Sequence, residues 1–141
     1  MPKTENILHA TCVTAWSQGV LIVGPSGSGK SSLALRLMAI GAELVADDRT
    51  RLQLRDQQLV ATCPSPIAGQ IEARGIGILA ARTAGSAIIR LVVDMGQVEE
   101  NRLPPERQIT LLGQSLPLLH SSVHAHFPAA ILQYLKGGRI A

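Results

Sequence analysis

The segment from residue 24 to residue 31 constrains the fold most, because it matches the phosphate-binding P-loop pattern G-x-x-x-x-G-K-S. Glycines let the backbone curl until successive N–H groups face one anion, and the following helix presents its positive end to that anion. Residues 19–23 predict a buried strand before the loop. Residues 32–40 predict a helix after it, with Gly41 as its C-terminal cap. The predicted phosphate-binding residues are Gly24, Pro25, Ser26, Gly27, Ser28, Gly29, Lys30 and Ser31.

The composition predicts one globular domain with an aliphatic core, covering residues 1–141. Hydrophobic residues make up 46% of the chain and charged residues 16%, far from the composition of disordered proteins. Aromatic residues are only 2%, which argues against nucleic-acid binding through stacked aromatic side chains. The net charge of +3 includes no basic run and therefore favours anionic partners only weakly.

The hydropathy and the cysteines favour a cytoplasmic protein without membrane contact. The longest apolar runs are too short to cross a bilayer, and the polar opening at residues 1–6 does not resemble a signal peptide. Cys12 and Cys63 lack metal-binding spacing and are more typical of small buried hydrophobic residues than of a disulfide.

Past the P-loop, the pattern predicts strands and hairpins rather than further crossover helices. A strand at 42–46 precedes a hairpin of residues 50–54 and 59–62, and the prolines in 63–66 break the ladder. Further strands are predicted at 75–79 and 87–93, a second hairpin at 109–119 and a closing helix at 128–136. Because 48–78 contains no convincing helix, an all-parallel sheet is not expected.

Two aspartate positions compete to support phosphoryl transfer, which needs a carboxylate for the metal and a group that positions or deprotonates the acceptor. Asp47 and Asp48 end the strand after the P-loop helix, whereas Asp94 follows the aliphatic run 88–93. Successive strand residues point to opposite faces, so Asp47 and Asp48 could divide the work. Two adjacent aspartates are also typical of a turn or a helix cap, and the pattern leaves these interpretations open.

Four segments in order resemble one family. They are His9 ahead of the P-loop lysine, the P-loop, L-V-A-D-D at 44–48 and E-x-R-G-x-G within 71–78. This set resembles the bacterial bifunctional HPr kinase/phosphorylases, which phosphorylate a serine of the phosphocarrier protein HPr. The likeness covers residues 7 to about 80 and is far more specific than a P-loop alone. It implies a P-loop kinase domain of the phosphoenolpyruvate carboxykinase type, with a mixed, largely antiparallel sheet and flanking helices.

The resemblance also implies roles for individual residues, with ATP and Mg²⁺ as cofactors and HPr as the partner. Asp48 would be the base that takes the serine proton, while His9 and Lys30 would contact the transferring phosphate. The implied metal ligands are Ser31, Glu72 and Asp47, and Asp47 is alternatively a residue that orients Asp48. Mg²⁺ prefers such oxygen ligands.

The C-terminal third departs from the family pattern. Residues 101–103 are similar to the segment around the family's late active-site arginine, which implies that Arg102 stabilises transition-state charge. Residues 116–126 contain no arginine, where the family has a proline- and arginine-rich loop linked to dephosphorylation. The resemblance therefore supports the phosphorylase direction and the family's ring-like hexamer less strongly than it supports the kinase direction. A homo-oligomer is still expected. His120, His124 and His126 lack a fourth metal ligand at sensible spacing.

Only eight residues precede His9, so the resemblance implies a short form without the family's N-terminal regulatory domain. The leading hypothesis is an ATP- and Mg²⁺-dependent HPr kinase. A second is a small-molecule kinase in which Asp94 holds the metal. A third is a regulator that senses a nucleotide without turnover.

Overall fold

The computed structural model describes residues 4–64 and 66–141. The first three residues of the predicted polar opening, and Ser65 in the predicted proline break, lie outside the described residues. In chain order the described elements are β1 (Glu5–Leu8), β2 (Thr11–Ala15), β3 (Gln18–Val23), α1 (Lys30–Ala39), β4 (Glu43–Ala46), β5 (Thr50–Arg55), β6 (Gln58–Thr62), β7 (Gln70–Ala73), β8 (Gly77–Ala80), β9 (Ala87–Val98), β10 (Arg107–Leu111), β11 (Gln114–Ser121) and α2 (Phe127–Gly137).

Nine of these strands form one mixed sheet in the order β1-β5-β6-β9-β3-β2-β4, with β11 also beside β9 and β10 beside β11. The pairings β3–β9 and β9–β11 are parallel, and the other pairings of this sheet in the described chain are antiparallel. Strands β7 and β8 form a separate antiparallel hairpin. The two predicted hairpins are confirmed as β5–β6 and β10–β11.

The sequence pattern missed β1, β2 and β7, and it ended β9 five residues too early. The β2–β3 turn lies at Trp16 and Ser17, whose φ values are 53° and 61°. Tight hairpins that need positive φ usually carry Asn-Gly or Asp-Gly there, so this turn gives no local signal. The predicted strand 75–79 begins at Gly77, because residues 74–76 form the turn of the β7–β8 hairpin.

Aliphatic side chains cover both faces of the central strand β3, which fixes the strand that leads into the P-loop. Val20 and Ile22 face a core that includes Leu33 and Leu37 of α1 and the buried face of α2. Leu21 faces the opposite core, which β5, β6 and β9 close. Burying one such side chain is worth about 1.5–3 kcal/mol, so the position of β3 is strongly stabilised.

Helix α1 ends in a glycine cap, as predicted for Gly41. The N–H of Ala42 donates to the carbonyl of Leu37 at 3.1 Å, and the N–H of Gly41 donates to that of Met38 at 3.2 Å. Gly41 has φ 118°, and this pair of bonds with a left-handed glycine is the Schellman ending.

Neither helix in the described part of the chain is long and apolar enough to span a membrane.

Candidate functional site

The P-loop turns between β3 and α1 on glycines that no other residue replaces easily. Gly24 has φ 141°, and a Cβ placed there would lie 2.7 Å from Ser28 Oγ and 3.1 Å from the backbone nitrogen of Gly96. Gly29 has φ 99° and precedes α1 directly. Within the described residues, α1 has neither a side-chain cap nor an acidic residue in its first turn. Its first N–H groups and its positive end are therefore available to an anion.

Lys30 is held over this loop by the loop's own carbonyls. Its Nζ donates to Gly24 O at 2.9 Å and to Pro25 O at 3.1 Å, and the residue is only 6% exposed. Burying an ammonium group is costly unless it is hydrogen-bonded, and these two bonds reduce that cost. The lysine charge is thus fixed where the motif predicts the terminal phosphates of a nucleotide.

A cleft of about 610 Å³ opens beside the P-loop and collects most of the predicted site residues. Its walls come from the P-loop, the start of α1, the end of β4 and the turn of the β7–β8 hairpin. The predicted residues that line it include His9, Lys30, Ser31, Asp47, Asp48 and Glu72.

Asp47 is the buried carboxylate of the cleft. Its Oδ1 accepts hydrogen bonds from Thr11 Oγ1 at 3.0 Å and from Ser31 Oγ at 2.6 Å, and its Oδ2 accepts one from the Glu72 N–H at 3.0 Å. These bonds join β2, α1 and β7 to the end of β4. The Ser31 hydroxyl and the Asp47 carboxylate therefore lie side by side in the lining of the cleft.

Asp48 is the exposed carboxylate of the cleft. Its Oδ1 lies 2.5 Å from Nε2 of His9, and its own N–H donates to Thr11 Oγ1 at 3.1 Å. The two aspartates lie in different surroundings, Asp47 buried and Asp48 exposed, but a left-handed turn at Asp48 (φ 66°) separates them instead of strand alternation, because β4 ends at Ala46. The predicted division of work between them stays a prediction. Aspartate is among the residues that tolerate this conformation.

Glu72 and Arg74 reach the cleft from the β7–β8 hairpin. Glu72 is exposed, and its side chain lies on the cleft wall. Arg74 also lines the cleft, and its Nη2 lies 3.9 Å from the point where a Cβ on Gly27 would be. Arg74 is the arginine of the E-x-R-G-x-G motif, and no role is predicted for it from the sequence. Its positive charge within that motif was the signal that could have indicated a phosphate-binding residue.

Asp94 and Arg102 do not line this cleft. Asp94 lies beside Val23 in the β3–β9 pairing, and its Oδ1 accepts the Gly96 N–H at 2.8 Å. Strand β9 continues to Val98, which carries the chain roughly 16 Å past the predicted strand end at 3.3 Å per residue. Arg102 lies exposed in the connection before β10 and is not among the residues that line the cleft, so its implied role stays a prediction.

The residues present fit a nucleotide with Mg²⁺. Mg²⁺ is usually held through one or two carboxylates together with substrate phosphates and waters. The Ser31 hydroxyl and the Asp47 carboxylate, 2.6 Å apart, supply oxygen ligands of that kind. Ser28 Oγ on the loop is buried without a hydrogen-bond partner among the described residues, as expected of a group that awaits a polar ligand. No cluster of three or more His, Cys, Asp or Glu suited to a metal occurs in 4–64 and 66–141.

Both cysteines are free, as predicted, and neither adds a nucleophile. Burial raises the pKa of the Cys12 thiol. Burial, followed by the nearby charge of Asp47, raises the pKa of the Cys63 thiol. Both thiols are therefore protonated at neutral pH, and covalent catalysis through cysteine is disfavoured.

Comparison with known proteins gives one consistent family. The sequence model of the HPr Serine kinase C-terminal domain matches residues 3–114. The HPr kinase/phosphorylase of Stenotrophomonas maltophilia (strain K279a) is 46% identical over 77 residues, which are 54% of this chain and 24% of that protein. The HPr kinase/phosphorylase of Xanthomonas campestris pv. campestris (strain B100) is 45% identical over 76 residues, 53% of this chain and 24% of that protein. The alignments thus span about a quarter of these relatives.

A solved structure, the Hpr(Ser) kinase/phosphatase from Coxiella burnetii, is also similar. It matches with a TM-score of 0.77 and 26% identity, covering 93% of this chain and 88% of that one. This match confirms the predicted fold class, a mixed α/β domain with a mostly antiparallel sheet and flanking helices. With the family model spanning most of the sequence and the P-loop cleft built from the family's motifs, the chain belongs to the HPr serine kinase C-terminal domain family.

Proposed function

We propose that this chain is an ATP-dependent, Mg²⁺-requiring kinase whose acceptor is a serine hydroxyl of the phosphocarrier protein HPr. One observation carries the proposal: the exposed Asp48 carboxylate, hydrogen-bonded to His9, shares a cleft with Lys30 and the P-loop. A carboxylate at the open side of a phosphate-binding loop can take a proton from an acceptor that enters from solvent. The names of the relatives supply the identity of that acceptor.

The P-loop and Lys30 bind the nucleotide phosphates in this proposal. The N–H groups of the loop and of the first turn of α1 donate to phosphate oxygens, and Lys30 exchanges its two carbonyl partners for the terminal phosphates. Ser31, Asp47 and Glu72 are the residues that would hold Mg²⁺. When bound, the ion neutralises charge on the phosphate oxygens.

Asp48 then acts as the general base. The serine oxygen of HPr forms a bond to the terminal phosphorus of ATP, the bond from that phosphorus to the bridging oxygen breaks, and ADP leaves. The serine proton passes to Asp48. His9 orients the Asp48 carboxylate and keeps one of its oxygens hydrogen-bonded, which leaves the other oxygen for the acceptor.

Several finer expectations stay predictions. In the reverse direction, an oxygen of inorganic phosphate would form a bond to the phosphorus of phosphoserine, the bond from that phosphorus to the serine oxygen would break, and pyrophosphate would leave. Asp48 would return the proton to the serine oxygen. A homo-oligomer is likewise expected from the family resemblance, and a cytoplasmic location from the hydropathy and the cysteines. The alternative small-molecule kinase is not favoured, since Asp94 bonds the Gly96 N–H and does not line the cleft.

The decisive experiment mixes the protein with HPr and Mg-ATP and measures phosphoserine on HPr by mass spectrometry. We expect transfer by the unchanged protein and a loss of about 10²–10⁴ in kcat for Asp48→Asn, because that range is typical of a removed general base. Nucleotide affinity and the unfolding temperature should stay unchanged, since asparagine also tolerates the left-handed backbone.

Asp56→Asn is the matched control, because Asp56 is also an exposed aspartate with positive φ (50°) but lies in the β5–β6 turn. It should retain full activity. Absence of transfer by the unchanged protein, or full activity of Asp48→Asn, would contradict the proposal.

A further inference from the structure

Thr11 is a fully buried residue whose single hydroxyl joins the two carboxylate positions of the cleft. Its exposed fraction is 0%, although threonine is seldom fully buried without a specific partner. The hydroxyl donates to Asp47 Oδ1 at 3.0 Å and accepts the N–H of Asp48 at 3.1 Å. The hydroxyl thus uses its one donor and one of its two acceptor positions on two consecutive residues.

The sheet places Thr11 at this point for a definable reason. Thr11 begins β2, which lies between β3 and β4, and pairs with Ile22 just before the P-loop. The next residue, Cys12, pairs with Ala46, the last residue of β4. The start of β2 therefore meets the position where β4 ends and the aspartate pair begins.

The two bonds have different effects on the two aspartates. The bond to Asp47 fixes the carboxylate that also accepts from Ser31. The bond from the Asp48 N–H supports a left-handed backbone, which is a strained conformation for a residue other than glycine. Since the Asp48 side chain extends from that turn, the same hydroxyl sets where the exposed carboxylate points.

We propose that Thr11 is a positioning residue that fixes the separation between the buried carboxylate of Asp47 and the exposed carboxylate of Asp48. This inference rests on the proposed kinase function. Thr11 is not a member of the cleft lining and therefore acts only through its two neighbours. A threonine that served stability alone would affect unfolding but not the chemistry at Asp48.

Thr11→Val removes both hydrogen bonds at nearly constant volume, and Thr11→Ser keeps the hydroxyl. Thr50→Val is the matched control, because Thr50 is also 0% exposed and its hydroxyl donates to the Ala10 carbonyl at 2.9 Å and not to either carboxylate. For Thr11→Val we expect kcat for HPr phosphorylation to fall about 10- to 100-fold, as for a displaced catalytic base. KM for HPr should stay within about twofold. Thr11→Ser should recover most of kcat, and Thr50→Val should keep it.

A second readout does not depend on turnover. Calorimetric titration of ADP with and without Mg²⁺ measures how strongly the ion improves nucleotide binding. In Thr11→Val the gain in ADP affinity caused by Mg²⁺ should shrink several-fold, because Asp47 loses the hydrogen bond donated by Thr11. In Thr50→Val this gain should equal that of the unchanged protein. If the unchanged protein fails to phosphorylate HPr, the proposed function is wrong, and this titration still tests Thr11.

The double variant Thr11→Val with Asp48→Asn distinguishes action through Asp48 from an independent effect. With both proteins assayed at saturating Mg²⁺, which offsets the weaker metal binding expected through Asp47, adding Thr11→Val to Asp48→Asn should lower kcat no further if Thr11 positions the base. Equal losses in Thr11→Val and Thr50→Val, failure of Thr11→Ser to restore kcat, or additive losses in the double variant would overturn the proposal. Should Thr11→Val not fold, Thr11→Cys, with its weak thiol donor, replaces it under the same criteria.

Discussion

Nε2 of His9 lies 2.5 Å from Oδ1 of Asp48, although 39 positions separate the two residues in the chain. Their side chains are 50% and 63% exposed. Leu8 pairs with Thr50 and Cys12 with Ala46, so the segment around His9 runs antiparallel to the segment around Asp48. An exposed pair of this kind contributes only about 0–1 kcal/mol to stability, so its loss should change the free energy of unfolding little.

The first prediction concerns His9. His9→Ala should lower kcat about tenfold or more, because the Asp48 carboxylate loses the hydrogen bond that orients it. The unfolding temperature should hardly change, because the pair is exposed. His9→Gln keeps a donor toward Asp48 and should lose less. Steady-state phosphorylation of HPr and thermal unfolding of the same samples measure both effects.

Glu5→Gln is a suitable control for His9, since it removes an exposed ion pair to Arg51 (3.1 Å) on β1 and β5. It should leave kcat unchanged. An unfolding temperature that falls as steeply as activity in His9→Ala would assign His9 a structural role instead.

The parts of the fold encoded by local signals could be predicted from the sequence. The P-loop, the helix after it and the Gly41 cap depend on residues close together in the chain, and all of them are present. The hairpins at β5–β6 and β10–β11 also follow from short alternating runs around a turn. Asp47 and Asp48 reach the cleft because they directly follow β4, the strand after α1.

The parts that depend on distant pairings could not be predicted. Thr11 meets Asp47 only through the register of β2 against β4, which includes a shift between Cys12 and Val13. Nothing near Thr11 in the sequence marks that register. The role implied for Arg102 came from the likeness of residues 101–103 to a family segment, and such a likeness does not fix where the connection before β10 runs. Residues 94–98 mix polar and apolar side chains with a glycine and give no strict alternation that would extend the predicted strand past Val93.

A second prediction compares two of the candidate metal carboxylates, Glu72 and Asp94. Glu72→Gln should raise the Mg²⁺ concentration for half-maximal activity by about tenfold, because a neutral amide is a weaker magnesium ligand than a carboxylate in the cleft. Asp94→Asn should leave that concentration unchanged, since Asp94 bonds the Gly96 N–H outside the cleft. A Mg²⁺ titration of HPr phosphorylation decides between them. Loss of activity in Asp94→Asn with a normal Glu72→Gln would favour the small-molecule kinase arrangement.

A third prediction compares two arginines. Arg74→Ala should weaken binding of a nucleoside triphosphate or lower kcat about 10- to 100-fold, because Arg74 lies in the cleft near Gly27 and can pair with phosphate oxygens. Arg102→Ala should change either quantity less than threefold, since Arg102 is exposed in the connection before β10. Nucleotide titration and steady-state kinetics measure both variants. A larger loss in Arg102→Ala would restore the role that the family resemblance implies for it.

A fourth prediction concerns pH and the connection that carries Arg102. Arg107 donates to both Glu99 oxygens at 3.2 and 3.1 Å, and this bonding holds the pKa of Glu99 below its ordinary value against the opposing effect of burial. The folded state therefore favours the carboxylate, so the stabilisation is complete above the ordinary pKa of about 4.3 and disappears as the pH falls through the lower folded value. Glu99→Gln should lower the unfolding temperature at pH 7, and its difference from the unchanged protein should shrink below about pH 4. Thermal unfolding between pH 3 and pH 7 measures this, with the exposed Glu106→Gln as control. A difference that persists undiminished to pH 3 would show that Glu99 stabilises the fold without its charge.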